Sequence, residues 1–397
     1  MNIRSKIGLC LGLLLAANGA VAQELRRVPA DVLARIVDDE PTPRRGLSAA
    51  ERANRRLPDL THAPFAPPTT LVHSTAEYEK NSGLLIRWGQ QNAILTDMTV
   101  AITTGDPDIL VHIVVSTALQ ASATSTLTNA GANMSRVRFI NGASDSVWIR
   151  DYGPRYVDES GRRSMVDHVY NRNRPNDDAV PNLIAQTLDE AKYDIPLVHG
   201  GGNFHLFDDN SAYMTRLIAN ENPTLTDQQI KDYYLAYQCL DVTLTDPLPA
   251  SFDSTQHIDM WMLPADDGRV IINEYPSSGG VYSIPKQTSD ATAALLAQRG
   301  KTVLRLGGWR CTPAIPECAG RTAHMTYANA VVLNRTVLMC TFANFPTENA
   351  QAQSIFQQAF PNRQIVPINC DSIISLAGAI HCIVMHMPAV LLRHGFE

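Results

Sequence analysis

The chain has 397 residues, a formal charge of −6, 45% hydrophobic and 18% charged residues, and seven cysteines. That apolar share is enough for a sizeable core and excludes a disordered chain. Mild acidity argues against nucleic acid or anionic lipid as a partner, and seven cysteines in this length is not a disulfide scaffold.

Residues 1–22 have the layout of a secretory signal peptide: Arg4 and Lys6, an apolar run from Ile7 to Ala17, and Ala20-Val21-Ala22 before Gln23. The expectation is export, to the periplasm or the extracellular space, with Cys10 removed on cleavage. Residues 23–65 read as a Pro/Arg-rich leader or linker. Over 23–60 it sets eight arginines against seven acids, with Pro29, Pro41, Pro43 and Pro58. One short helix is expected at Val32–Ile36, and the rest should be solvated. Residues 66–397 read as the folded domain that would carry any activity, net acidic and better suited to a cationic substrate. They hold no run of about 18 apolar residues, so no membrane anchoring is expected.

Val, Ile and Tyr-rich strands begin after residue 66, with Leu84–Trp88, Ile109–Val115 and Val137–Ile140 reading as buried. Then a hairpin recurs: Trp148–Val157 with Ser164–Tyr170, Asn203–Phe207 with Ala212–Leu217, Ile258–Leu263 with Val270–Glu274, and Ala328–Leu333 with Thr336–Phe342. Helical spacing separates the copies at Ala179–Lys192, Thr226–Tyr237, Asp290–Gln298 and Ala350–Phe360. Motif residues fall at 151, 203, 259, 329 and 382, so the unit is of ~50 residues or more. This spacing fits radial repetition and an ordinary α/β sheet equally well.

Four constellations carry chemistry. Trp148-Ile149-Arg150-Asp151-Tyr152-Gly153-Pro154 places Trp148 and Asp151 near a strand end. His199-Gly200-Gly201-Gly202-Asn203 permits close backbone approach to a ligand. It precedes a strand and lacks a following Lys-Ser/Thr, so it is not a phosphate loop. In Thr255-Gln256-His257-Ile258-Asp259, a strand would put His257 and Asp259 on one face. No further ligand spacing accompanies them, so no metal is expected. In Gly378-Ala379-Ile380-His381-Cys382, the cysteine follows a turn and opens a strand. A thiol nucleophile, a histidine, two carboxylates and an aromatic suit a planar guanidinium better than a peptide bond, because each carboxylate can accept two parallel N–H donors.

In that order, W-x-R-D-x-G-P, G-G-N, H-x-D and G-x-x-H-C resemble the Porphyromonas-type peptidylarginine deiminase and agmatine deiminase family, of the guanidino-group-modifying superfamily. The resemblance runs from about Thr75 to Met387 and includes Ala76-Glu77-Tyr78. It implies a single-domain, five-bladed α/β propeller of pentein type with pseudo-fivefold symmetry. It implies that Cys382 attacks the guanidinium carbon, that Asp151 and Asp259 hold the nitrogens, and that His257 protonates the departing ammonia and then activates water. Asn329 is implied near the nucleophile, and Trp148, Gly202 and Asn203 in the pocket. No metal or organic cofactor is implied.

Tyr170-Asn171-Arg172-Asn173-Arg174 resembles the peptidylarginine branch, in which two arginines grip the carboxylate of a C-terminal arginine. The expected activity is therefore conversion of peptidyl or protein arginine to citrulline and ammonia through a covalent thiouronium. Only 15 residues follow Cys382, however, and such compactness is similar to agmatine deiminases. Turnover of agmatine to N-carbamoylputrescine is the alternative, and a non-catalytic arginine-binding module a lesser one. The partner is accordingly an arginine peptide or a small guanidinium compound. Cys311 and Cys318 flank a short loop and could form a disulfide after export. Cys239, Cys340 and Cys370 have no assigned partner, and Cys340 reads as a core residue.

Overall fold

The computed structural model describes residues 25–47, 51 and 66–390. The expected signal peptide, most of residues 48–65 and the last seven residues lie outside the described residues. The fold is mixed α/β, and five sheets share one pairing order. Arg155–Glu159 runs antiparallel to Arg162–Tyr170, which runs parallel to Ala191–His199. The same order recurs in His205–Leu206, Ser211–Thr215 and Asp241–Thr245. It recurs in Met262–Asp266, Arg269–Glu274 and Thr302–Gly307, and in Val331–Val332, Thr336–Thr341 and Gln364–Asn369. In the fifth sheet the last strand, Met385–Pro388, pairs antiparallel with Asn81–Arg87. That strand runs parallel to Leu110–Val115, so this sheet ties the two ends of the domain together.

The pairing order follows from the connections. A tight turn can join antiparallel strands, whereas a parallel neighbour needs a crossover. Each of the five sheets has a long helix between its second and third strands: Asn92–Gly105, Val180–Leu188, Asp227–Gln238, Ser283–Gln298 and Pro346–Ala359, with short helices Pro175–Asp178 and Leu217–Glu221 preceding the second and third of these. The helix Asp227–Gln238 starts with a capping box between Thr226 and Gln229, and removing such a cap costs about 1 kcal/mol. Of the third strands, Leu110–Val115 was found in the sequence, expected at Ile109–Val115, and the other four were missed. The reading Ala179–Lys192, for example, joins a helix to the start of the strand Ala191–His199.

A second difference bears on function. The expected strands Trp148–Val157 and Ile258–Leu263 begin instead with a helical turn, Ile149–Tyr152 and Ile258–Met260. A third turn, His381–Ile383, precedes the strand Met385–Pro388. So His257 and Asp259 do not share a face through strand alternation; the backbone folds tightly around buried polar groups just before the strand begins.

Cys311 and Cys318 form a disulfide. Cys340 lies in the core as read, and its partner, unassigned from sequence, is Cys370. The reason is sheet register: Cys340 lies opposite Ile368 on the parallel neighbour, and Cys370 follows two residues later. Cys239 and Cys382 are free.

The leader also departs from expectation, because it is docked rather than solvated. Arg27 pairs with Asp97 at 2.7 Å, and Val28 is buried. After a short helix at Ala30–Leu33, Asp38 accepts from the Asn92 N–H at 2.7 Å. Glu40 then pairs with Arg87 at 2.5 Å. Among the described residues no helix is long and apolar enough to cross a membrane.

Candidate active site

The three helical turns converge on one buried point, where the backbone bends sharply and offers side chains inward. Asp151, Asp259 and Cys382 are each essentially inaccessible to solvent. His257 precedes the second turn, and its Nδ1 lies 3.4 Å from Asp151. The Cys382 thiol donates to Asn329 Oδ1 at 3.3 Å, and the Ala379 N–H donates to the sulfur at the same distance. Asn329 also accepts from the His381 N–H at 3.1 Å and donates to the Asp259 carbonyl at 3.1 Å. It therefore ties the cysteine turn to the aspartate turn.

A guanidinium fills the centre, and it belongs to the leader. Arg45 is fully buried. Its Nε and Nη2 donate to the two oxygens of Asp151 at 2.9 and 2.8 Å. Its Nη1 and Nη2 donate to the two oxygens of Asp259 at 3.2 and 2.9 Å. Nη1 also lies 2.5 Å from the Cys382 sulfur, and Nη2 lies 2.9 Å from His257 Nδ1. Two bidentate carboxylates thus hold one planar cation, the strongest arrangement a carboxylate and a guanidinium can make.

The walls are fitted to this group. A Cβ on Gly202 would stand 1.8 Å from Arg45 Nη2, so only glycine leaves room for the cation. A Cβ on Gly378 would meet the Trp148 ring at 2.6 Å and the Arg45 stem at 3.0 Å, which places Trp148 along the pocket. Trp148 Nε1 donates to the Pro43 carbonyl at 2.8 Å. Asn203, expected in the pocket, does not contact the guanidinium. It is consumed by backbone, accepting from the N–H groups of Thr215 and Ile258 and donating to the Thr215 carbonyl. Arg172 donates to the Arg45 carbonyl, and Arg174 to the Arg44 carbonyl at 3.0 Å. The pair therefore grips main-chain carbonyls of a continuing chain here, not a terminal carboxylate.

Charge explains the burial. Desolvation works to raise the pKa values of Asp151 and Asp259, but Arg45 beside both, with His257 at Asp151 and His381 at Asp259, holds them below the usual carboxylate range. Desolvation works to lower Arg45, yet Asp151, Asp259 and Cys382 hold it well above its ordinary value. Burial pushes the Cys382 thiol well up; Arg45 pulls it down, and the two carboxylates push it further up. With Arg45 in place the balance still leaves the thiol above its ordinary value, the cation offsetting part of the burial.

Two groups were missed. Arg45 was not found because an arginine in a Pro-rich leader reads as solvated. The other is Glu77, quoted only as part of an opening motif. It accepts from His381 Nε2 at 2.9 Å, while His381 Nδ1 lies 3.0 Å from Asp259 Oδ2. Arg150 pairs with Glu77 at 2.5 Å. The signal was present in His381-Cys382, but a histidine next to the nucleophile gives no hint of a partner 304 positions away.

A cysteine set against a doubly clamped guanidinium defines a site for guanidinium chemistry. The sequence profile of the Porphyromonas-type peptidyl-arginine deiminase family matches residues 73–388, and the chain belongs to that family. It is a deiminase-type hydrolase acting on guanidino C–N bonds. A protein of Marinomonas sp. (strain MWYL1), provisionally named agmatine deiminase, is 25% identical over 286 residues, covering 64% of this chain and 76% of its own. One from Shewanella sp. (strain W3-18-1) with the same provisional name is 27% identical over 287 residues, covering 64% and 77%. Among solved structures, the agmatine deiminase of Enterococcus faecalis superposes with a TM-score of 0.70 at 18% identity, over 81% of this chain and 96% of its own. A Porphyromonas gingivalis protein provisionally described as an arginine deiminase gives 0.69 at 18% identity, over 81% and 100%. The family match begins at residue 73, so Arg45 lies outside it.

Proposed function

We propose that the site hydrolyses the terminal C–N bond of a guanidinium through a covalent cysteine intermediate. The observation that carries this is the Arg45 guanidinium itself, held by both carboxylates with the Cys382 sulfur at Nη1 and His257 at Nη2. In this reading the bound cation lowers the Cys382 pKa and the thiolate adds to Cζ. The nitrogen beside His257 leaves as ammonia with a proton from the imidazole, and His257 then takes a proton from the water that attacks the thiouronium. A cavity of about 370 Å³ bordered by His257, Arg172 and Thr255 supports water access. Asp151 and Asp259 stay ionised throughout, stabilising the cation and orienting its carbon. We also propose that the five sheets stand radially around this point as blades, which is consistent with one motif residue per sheet.

Two substrate readings follow. A small guanidinium compound such as agmatine is favoured by the names that the relatives carry. An arginine within a peptide is the second reading, and one observation favours it: Arg172 and Arg174 take the carbonyls of Arg45 and Arg44. Agmatine has no such carbonyls. We further propose export, in keeping with two disulfides, which persist in oxidising compartments. The test is to assay purified protein on agmatine, an internal-arginine peptide and a C-terminal-arginine peptide, measuring ammonia and the ureido product. Agmatine turnover indifferent to Arg172→Ala and Arg174→Ala, with no peptide product, would remove the peptide reading. Peptide turnover that these substitutions weaken would establish it, and no ureido product from any of the three, by wild type or by an Arg45→Gln variant whose pocket is not filled by its own arginine, would sink the whole reading.

A further inference from the structure

The leader delivers a reactive group, not an inert plug. A lysine would satisfy two carboxylates and offer no carbon to attack, whereas Arg45 presents a guanidinium. Its contacts bring together the groups that the chemistry proposed above uses: both carboxylates engaged, sulfur at Nη1, imidazole at Nη2. The main chain around it is held as well. The Arg45 N–H donates to the Leu376 carbonyl at 2.9 Å, and the Arg45 and Arg44 carbonyls accept from Arg172 and Arg174. A Cβ at Gly46 would lie 1.9 Å from Ser254 Oγ, so the chain leaves the pocket through a gap only glycine fits. The site thus takes an arginine in mid-chain, entering and leaving through built contacts.

We propose that Arg45 is deiminated in cis by the site it occupies, and that this single conversion releases the leader and opens the pocket to other guanidinium substrates. The inference rests on the deimination reading above. In the step, the Cys382 thiolate forms an S–Cζ bond. The Cζ–Nη2 bond breaks and Nη2 leaves as ammonia with a proton from His257. Water then adds to Cζ, the S–Cζ bond breaks, and the side chain ends as a ureido group: one water is consumed and one ammonia released, with no change of oxidation state. Release follows from what replaces Nη2. That nitrogen donates to Asp151 Oδ1 at 2.8 Å and to Asp259 Oδ2 at 2.9 Å. An oxygen in its place sets three acceptors against one another and removes the cation that neutralises two buried carboxylates, which such a site does not tolerate.

The test is peptide mapping by mass spectrometry of full-length wild-type protein and of Cys382→Ser and Asp259→Asn. Wild type should carry citrulline at position 45, and both variants arginine, so the comparison survives if one variant folds poorly. Isotopically labelled Cys382→Ser mixed with unlabelled wild type should stay unmodified, since conversion is in cis; labelled citrulline would overturn that. In parallel, Arg45→Gln should turn over agmatine or arginine peptides as wild type does, whereas Arg45→Lys should remain blocked and be slower by about tenfold or more. If wild type retains arginine at 45 while Arg45→Gln is active, the inference fails and the proposed function stands. If wild type retains arginine at 45 and Arg45→Gln forms no ureido product from any guanidinium, both fail; citrulline at 45 with an inactive Arg45→Gln would overturn the opening of the pocket to other substrates.

Discussion

At the scale of single residues, the site is a set of charges that tolerate burial only together. Asp151 and Asp259 stay ionised because a guanidinium lies between them. Replacing either by Asn keeps the shape and removes one charge, so kcat/KM should fall by about 10²–10⁴, read in an ammonia-release assay. Cys382→Ala should abolish ureido product altogether. Glu77→Gln tests the missed relay. It weakens the partner that orients His381 against Asp259, and a misplaced Asp259 should lower kcat about tenfold to a hundredfold with a smaller effect on KM. An unchanged kcat would show that Glu77 only closes a surface around Arg150. Most of these residues were legible: Asp151, His257, Asp259, Asn329 and Cys382 stand in short motifs whose order survives folding, and the structure brings all five together. Asn203 was misread because a Gly-Gly-Asn run looks the same whether its amide faces a ligand or caps backbone. Glu77 and Arg45 were illegible in role, because their function lies entirely in contacts remote in sequence.

At the scale of elements, the hairpins and most of the crossover helices were legible, and four of the third strands were not. Alternating Val and Ile mark the paired strands, but the third strand Ala191–His199 follows its helix with almost no break in apolar character. The helical turns that hold Asp151, Asp259 and Cys382 were hidden for a different reason: three or four residues are too few for a period to show. Strand histidines set an acid limit on stability. Burial pushes His112, His168 and His386 each down to about 4. They are neutral in the fold, while an unfolded chain protonates them near ~6.5. Stability from these groups is thus present above about 6.5 and is lost as pH falls toward 4. Melting temperature should drop steadily over that window, and a His168→Asn variant should show a shallower slope. The disulfides act between elements. By loop-closure entropy, the Cys340–Cys370 bond, spanning 30 residues, contributes about 3–4 kcal/mol, and Cys311–Cys318, spanning 7, about 2 kcal/mol. Paired Cys→Ala variants in chemical denaturation should rank that way, and the reverse order would contradict the entropic account.

At the scale of the whole molecule, motif residues spaced ~50 or more apart fitted radial repetition and an ordinary α/β sheet equally well, and five of the six sheets among the described residues share one pairing order. What no period could reveal is that the leader completes the molecule. It runs from Arg27 on Asp97 to Arg45 at the centre, joined to the domain along its length. Because that guanidinium is tethered, it faces the pocket at an effective concentration of about millimolar or more, whatever the protein concentration. A free guanidinium must outcompete it, so affinities measured on the arginine-bearing full chain understate the pocket's own. Inhibitors ranked on such protein would be ranked by how well they displace a resident rather than by how well they fit.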